Sequence, residues 1–331
     1  MRYVNLLMVV MALGIFMAHA QGIPKELKNA LQKAYRDGAK AKLTFRVTDS
    51  LGNPVTNADV RAGFFLEKGS HAVVGKTDTN GMFTVEGLCS DDMGCSFKKE
   101  GYYQTEYRHR FASYDSNVLK DGKWQPWNPT IEITLKEKRN PIPMYVKNLK
   151  VYFPQNQLVG FDCRKGDLVA PHGTGSEADF LFTVIETSTS RIDFQRQLII
   201  SSVNQDEGFI RLKKDSWSVL VSEHEAPSNR YIPKVETLFV YDSKPNPVDT
   251  RIGEDEYLVF RSRIKKDDEG KIIHSNFGKI YGRIKSGESD KGNDVGYVQF
   301  LYYFNPDDND RNLEFATGQN LFGRREFNSE P

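Results

Sequence analysis

Apolar and polar side chains alternate along most of this 331-residue chain, in short runs separated by turn-forming residues. The first clear run begins at Lys42, where Leu43, Phe45 and Val47 alternate with polar neighbours. A period of two places alternate side chains on opposite faces of an extended strand, so this run predicts a half-buried β-strand. The next segment, Asp49–Pro54, contains Gly and Asn, which readily form turns. Short strands with regular turns predict a β-sandwich.

The same pattern continues to residue 135. Val55–Leu66 is typical of an extended segment, and Thr77–Gly81 is a second tight turn followed by renewed alternation. Tyr103–Phe111 and Ile131–Leu135 alternate again, and the latter predicts the last strand of this region. The many Tyr and Phe residues also favour strands over helices.

Three segments of this region resemble the carboxypeptidase regulatory-like domain family. They are Val47–Val60, with its Asp, Gly and Pro-Val at matching positions, Thr77–Val85, and Lys99–Tyr102. The resemblance covers residues 40–136 and implies a seven-stranded sandwich of transthyretin-like or immunoglobulin-like type. In that family the module is an accessory domain without catalytic residues.

Two insertions depart from the family pattern, at Asp91–Cys95 and Ala112–Asn128, and lengthen two loops. The second contains Trp124 and Trp127, the most suggestive binding feature of the chain. Two neighbouring tryptophans can form an aromatic platform for a sugar or an apolar side chain. The alternative is that they close the bottom of the sandwich core, since large aromatic residues are mostly buried.

The N-terminus has the three parts of a secretory signal peptide. A basic start precedes an apolar run over Val4–Ala18, and Ala18-His19-Ala20 forms a cleavage site. We therefore expect residues 1–20 to be removed after Ala20 and the protein to be secreted or periplasmic in a bacterium; the alternative is an uncleaved anchor. Residues 24–38 then show helical spacing, with a Pro at the start and a Gly at the end, and predict one short helix.

Export would leave the mature chain without net charge. The chain has 45 basic and 44 acidic residues, and the leader contains one Arg and no acid. A neutral chain has no long-range field to attract nucleic acid, so we expect no nucleic-acid partner. Nothing after the leader resembles a transmembrane segment. The sequence leaves the oligomeric state open.

Three cysteines occur, and an oxidising compartment would allow a disulfide. Cys89 and Cys95 bracket a turn-forming stretch and are the expected pair, which leaves Cys163 single. The alternative is three free or buried thiols. The spacing does not match a zinc site.

The remainder of the chain is predicted to be a second domain. Residues 137–148 contain two prolines and a charge cluster, which predicts a stiff linker. Residues 149–327 read as a β-rich domain, either a sandwich or a jelly roll. Its predicted strands are Ala178–Ile185, Gln197–Val203, Thr237–Tyr241, Glu256–Ile264, Asn276–Ile284 and Val295–Asn305. The last is apolar on both faces, so we expect it to be covered on both.

Few residues of this domain suggest a catalytic, cofactor or metal site. Gly173–Ala178 has a G-x-G-x-x-A pattern, but a strand follows it instead of a helix, which argues against a dinucleotide site. Asp307, Asp308 and Asp310 form an oxygen-rich loop that could bind calcium, although the same residues are ordinary in solvated turns. His224, between two glutamates, lacks any catalytic motif and is expected at the surface. We expect no other cofactor.

These observations favour a non-enzymatic envelope or extracellular protein with a binding or scaffold role. The ligand would be a carbohydrate, a cell-wall polymer or another envelope protein, recognised by loops on a rigid scaffold. One alternative is a secreted, glycosidase-like hydrolase with two catalytic carboxylates in the second domain. Another is a structural partner in a surface assembly.

Overall fold

The computed structural model describes residues 25–111, 118–190, 193–214, 217–242, 248–289, 292–323 and Pro331. The predicted signal peptide, the start of the second insertion (112–117) and the end of the chain (324–330) lie outside the described residues. The residues up to Glu137 form one compact unit, and those from Lys138 form another. They are called the first unit and the second unit below.

The predicted N-terminal helix is confirmed as α1 (Lys25–Asp37). Its buried side chains, Leu31 and Ala34, are three residues apart and therefore lie on one face. The helix ends at Gly38, whose φ of +83° is left-handed and whose N–H donates to the Ala34 carbonyl at 2.9 Å. This geometry favours glycine because other side chains are strained there.

The first unit is otherwise built of β-strands. They are β1 (Ala39–Asp49), β2 (Asp59–Leu66), β3 (Gly69–Lys76), β4 (Met82–Cys89), β5 (Asp92–Lys98), β6 (Thr105–Arg110), β7 (Leu119–Lys120), β8 (Lys123–Trp124) and β9 (Thr130–Leu135).

These strands form two sheets that enclose one apolar core. The first sheet has the order β4-β1-β8-β7, with β9 also paired to β1, and the second has the order β3-β2-β5-β6. β1 pairs with β9 in parallel from Thr44↔Thr130 to Asp49↔Leu135. Phe45 of one sheet and Phe97 of the other meet edge to face at 5.1 Å inside the core. Seven strands are longer than two residues, as predicted for a sandwich, and β7 and β8 add a short hairpin.

Two hydrogen-bonded turns explain the polar positions in the segments 47–60 and 77–85. The Asp49 carboxylate accepts the backbone N–H of Leu51 and of Asn53, both at 2.8 Å. The Thr77 hydroxyl donates to the Val55 carbonyl at 2.6 Å and thereby joins the two segments. A Cβ at Gly81 would lie 2.4 Å from the Val47 carbonyl oxygen, so only glycine fits this crossing.

The second unit is also built of β-strands. They are β10 (Ile142–Pro154), β11 (Val159–Asp162), β12 (Asp167–Leu168), β13 (Phe180–Ser190), β14 (Asp193–Ser201), β15 (Gly208–Lys213), β16 (Lys234–Tyr241), β17 (Val248–Asp249), β18 (Glu256–Lys266), β19 (Ile272–Ser289), β20 (Gly292–Phe304) and β21 (Phe315–Asn320).

Two six-stranded sheets enclose the core of this unit. Their orders are β15-β18-β19-β20-β10-β21 and β12-β11-β13-β14-β16-β17. All six predicted strands are confirmed, as β13, β14, β16, β18, β19 and β20. In β20, Phe300 and Tyr302 point into the core between the sheets, whereas Tyr303 packs on the opposite face against Phe315. The prediction that this strand is covered on both faces is therefore confirmed.

The prediction of a linker over residues 137–148 is wrong for most of that range, because β10 begins at Ile142. β10 pairs with β21 in parallel at only two positions, Ile142 and Met144, with an irregularity between them. Pro143 lies at that irregularity, where no ladder N–H is required, so the strand tolerates it. From Tyr145 onward β10 pairs regularly with β20.

Candidate functional site

Trp124 is buried, contrary to its assignment as a binding residue. None of its side chain is exposed, and its indole N–H donates to the Cys89 carbonyl at 2.9 Å. The rings of Tyr35 and Phe111 lie 6.0 and 6.1 Å from it. The core-packing alternative holds for Trp124, because a ring enclosed on these sides offers no face to a ligand.

Trp127 lies instead on the outer side of the first sheet, half-buried. The next residue, Asn128, has a left-handed φ of +55°, and its N–H donates to the Lys42 carbonyl at 3.1 Å. Its side-chain oxygen accepts the Thr44 hydroxyl at 2.8 Å. These two bonds tie the loop to β1 and fix Trp127 beside the strand.

Lysine side chains flank this ring. The Nζ atom of Lys123 is 5.0 Å from the centre of the Trp127 ring, and that of Lys42 is 6.0 Å away. These distances permit cation–π attraction. Lys40 lies two residues before Lys42 and so on the same outer face. We call Lys40, Lys42, Lys123 and Trp127 the Lys–Trp face.

The charges of the Lys–Trp face are only partly neutralised. Lys42 forms an ion pair with Glu86 at 3.1 Å. Lys40 and Lys123 are direct partners in the parallel pairing of β1 with β8, which brings two like charges together. Within the described part of the chain neither of them forms an ion pair. Like charges at directly opposed positions destabilise a sheet, so this placement is not explained by stability.

The predicted calcium loop is not arranged as a metal site. Among the described residues, no group of three or more His, Cys, Asp or Glu side chains could hold a metal ion. Asp310 accepts the backbone N–H of Asn312 and the side-chain amide of Asn305, both at 3.1 Å, while Asp308 pairs with His274 at 3.0 Å. Asp307 is exposed in the same turn, so the three carboxylates do not converge.

The predicted disulfide is absent from the structure, in which all three cysteines are free and buried. Cys89 ends β4 in the first sheet, whereas Cys95 lies within β5 in the second sheet, paired with Ala62 and Tyr107. Burial raises the pKa of both thiols to about 12. Burial likewise raises the pKa of the third, Cys163.

The G-x-G-x-x-A loop of the second unit wraps around a buried ion cluster. The Arg263 guanidinium contacts Asp179 at 2.8 Å, Glu177 at 2.9 Å and Asp162 at 3.0 Å. Asp162 also accepts the backbone N–H of Ser176, at 3.0 Å, from within the loop. The loop N–H groups are thus used to stabilise a carboxylate of the protein itself. We call Arg263 and its three carboxylates the Arg263 cluster.

This cluster does not have the chemistry of a glycosidase pair. Burial favours a higher pKa for Asp162, but N–H donation from Ser176, Glu177 and Lys165, together with Arg263, holds the pKa below its usual value. A general acid needs a raised pKa at neutral pH. The side chains of Asp162 and Asp179 are also almost fully buried. His224 is likewise buried, 3.9 Å from Glu314, and not at the surface as expected.

The second unit has an aromatic surface that the sequence did not predict. Phe194 lies 5.7 Å from Phe239 and 5.6 Å from Tyr241, on adjoining strands β14 and β16. The Arg251 guanidinium stacks on Phe239 at 3.7 Å and also pairs with Asp249. Arg251 thus has a carboxylate partner, whereas Lys40 and Lys123 of the Lys–Trp face form no ion pair in the described residues.

The sequence predicted Trp127 as a binding residue but not the three lysines of the Lys–Trp face, for a topological reason. Lys40 and Lys123 are far apart in sequence and meet only through the parallel pairing of β1 and β8. The spacing of Lys40 and Lys42, two residues apart at the start of the predicted strand, is the signal that could have located these lysines.

None of the helices in the described residues is long and apolar enough to cross a membrane. No protein-family model matches the chain, and no curated protein matches it in sequence.

Some solved structures are weakly similar to this chain. A 3-chlorocatechol 1,2-dioxygenase from Rhodococcus opacus aligns at 16% identity over 30% of this chain and 61% of its own, with a TM-score of 0.25. A streptococcal ancillary pilin aligns at 12% identity over 66% and 60%, with a TM-score of 0.20. The chain therefore spans about three fifths of each of these two. A DUF3823 family protein from Parabacteroides merdae aligns at 10% identity over 85% and 100%, with a TM-score of 0.21. At these TM-scores the alignments assign neither a fold nor a function.

Proposed function

We propose that the protein is a non-enzymatic binding or scaffold protein of the bacterial envelope or extracellular space, and that it holds a carbohydrate chain on the Lys–Trp face. In this proposal the first unit acts as a carboxypeptidase regulatory-like accessory module, and the leader directs its export.

The half-buried ring of Trp127 is the observation that carries the proposal. Sugar rings present C–H groups that pack on aromatic faces, while their hydroxyls take hydrogen bonds from neighbouring polar groups. Lys42 and Lys123 supply such donors next to the ring. The other tryptophan of the same loop, Trp124, is enclosed and holds the loop on the core.

The support beneath the ring is rigid, which favours recognition. Lys42 belongs to β1, the strand that is paired on one side with β4 and on the other with β8 and β9. A ligand that meets side chains fixed on strands loses less free energy to ordering than one that meets a mobile loop.

A hydrolase is less well supported by the carboxylates of the second unit. Glu186 is tied to Arg196 at 2.8 Å, Asp249 to Arg251, and the Arg263 cluster holds three more. A carboxylate whose oxygens already bind an arginine of the protein is not free to face a sugar across a cleft.

The test compares tryptophan variants of the mature protein on a glycan array. Trp127→Ala should lose most of the binding to whichever glycan the wild type captures, because it removes the stacking surface. Trp217→Ala is the matched control, since Trp217 is 67% exposed and belongs to the second unit. Equal binding by the Trp127→Ala variant and the wild type would refute the site. An absence of glycan binding by the wild type would favour a structural role in a surface assembly.

A further inference from the structure

We infer that the Lys–Trp face selects an acidic glycan, one whose sugar residues carry carboxylates. This inference rests on the proposed function and adds to it the class of ligand. Its basis is the excess of positive charge around Trp127.

The three lysines lie close together on the sheet. Lys40 and Lys42 are two positions apart on β1, about 7 Å between their Cα atoms. Lys123 lies on the neighbouring strand in register with Lys40, about 5 Å across the sheet. A glycan chain stacked on Trp127 therefore runs within reach of cations on two strands.

Among the described residues, Glu86 is the one carboxylate that forms an ion pair with any of these lysines. Glu86 pairs with Lys42 and is itself exposed. The adjacent charges of Lys40 and Lys123 repel each other, and a bound anion would convert that repulsion into attraction. The excess is local, because the chain as a whole is nearly neutral, with 45 basic and 44 acidic residues.

The geometry favours a glycan over a nucleic acid. Single-stranded nucleic acids are held by several aromatic side chains that stack successive bases along a basic groove. The Lys–Trp face has a single outward aromatic ring, Trp127, with lysines at its edges. One platform bordered by cations suits a sugar residue and its acidic substituent.

The experiment measures binding of the mature protein to polygalacturonate and to its fully methyl-esterified form by isothermal titration calorimetry. The two polymers share a backbone and differ in the carboxylate charge. The test variant is Lys40→Gln with Lys123→Gln. The control is Lys76→Gln with Lys98→Gln, which changes the net charge equally but alters β3 and β5 of the other sheet.

The wild type should bind polygalacturonate more tightly than the ester, and the affinity should fall as salt is added. The Lys40/Lys123 variant should lose about tenfold in affinity for the acid and little for the ester. The Lys76/Lys98 control should bind both polymers as the wild type does.

Three results would overturn the inference. They are equal affinity for the acid and the ester, an unchanged affinity in the Lys40/Lys123 variant, and equally tight binding of single-stranded DNA at the same face. If Trp127→Ala weakens binding of the ester while the lysine variant binds the acid normally, the carbohydrate proposal stands and only the charge selectivity fails. If Trp127→Ala leaves all binding unchanged, the proposed function itself fails.

Discussion

In the first unit, Lys40 and Lys123 lie side by side on an outer sheet face without an ion pair in the described residues. In the second unit, Arg263 is almost fully buried and is enclosed by Asp162, Glu177 and Asp179. The Arg263 cluster uses its charges within the fold, whereas the Lys–Trp face leaves charges available to a ligand. The comparison separates cations that stabilise the protein from cations that stability does not require.

Removing Arg263 gives the strongest test of this contrast. Arg263→Met leaves Asp162 and Asp179 buried without their counter-charge, so the free energy of unfolding should fall by about 3–5 kcal/mol. Chemical denaturation followed by circular dichroism measures the change.

A matched control is Arg283→Met. Arg283 also has a left-handed φ, +59° against +53° for Arg263, but its ion pair with Glu254 is mostly exposed. Loss of this exposed pair should cost less than about 1 kcal/mol. Similar losses in the two variants would show that the cluster does not depend on the buried guanidinium.

The two tryptophans of one loop extend the contrast to apolar side chains. Trp124→Phe removes core volume and leaves the Cys89 carbonyl without its donor, which should lower the free energy of unfolding by about 2 kcal/mol. Trp127→Phe should change it by less than about 0.5 kcal/mol, since that ring lies outside the core. Thermal unfolding of both variants distinguishes them, and a larger loss for Trp127 would contradict its proposed role as a surface platform.

The third prediction, with the smallest expected effect on stability, concerns acid pH. The pKa of Asp162 is lowered in the folded state, so its contribution is complete above the unfolded value of about 3.9 and is lost as the pH falls through the folded pKa. Stability of the second unit should therefore fall as the pH drops below about 4.

The Asp162→Asn variant should show a shallower decline over that range, although it starts from a lower stability. Denaturation midpoints at pH 7, 5, 4 and 3 would measure both slopes. Parallel slopes would mean that another group causes the loss.

Much of the fold follows from local pattern. The alternation of Leu43, Phe45 and Val47 predicts β1, and the two-sided apolar run of β20 predicts its coverage on both faces. Both predictions use only the alternation of neighbouring residues, and this alternation is set directly by the two-residue period of a strand. The linker prediction was wrong because Pro143 removes one N–H at a position where the ladder does not use it.

The sites were harder to predict because they depend on long-range pairing. Trp124 and Trp127 are alike in sequence, and only the path of the loop decides which one is enclosed. Cys89 and Cys95 are close along the chain but belong to different sheets. The residues of the Arg263 cluster come from β11, β18 and the loop before β13, so no local motif identifies them.

The parallel pairing of β1 with β9 has a mechanical consequence. β1 opens the sheets of the first unit and β9 closes them, and six register pairs join them side by side. Tension between the two ends would pull these strands past each other, so that all the pairs resist at once instead of opening one at a time. In the second unit, the parallel contact between β10 and β21 likewise joins its first and last strands. In each unit the two ends of the chain therefore leave from neighbouring strands that are joined in parallel.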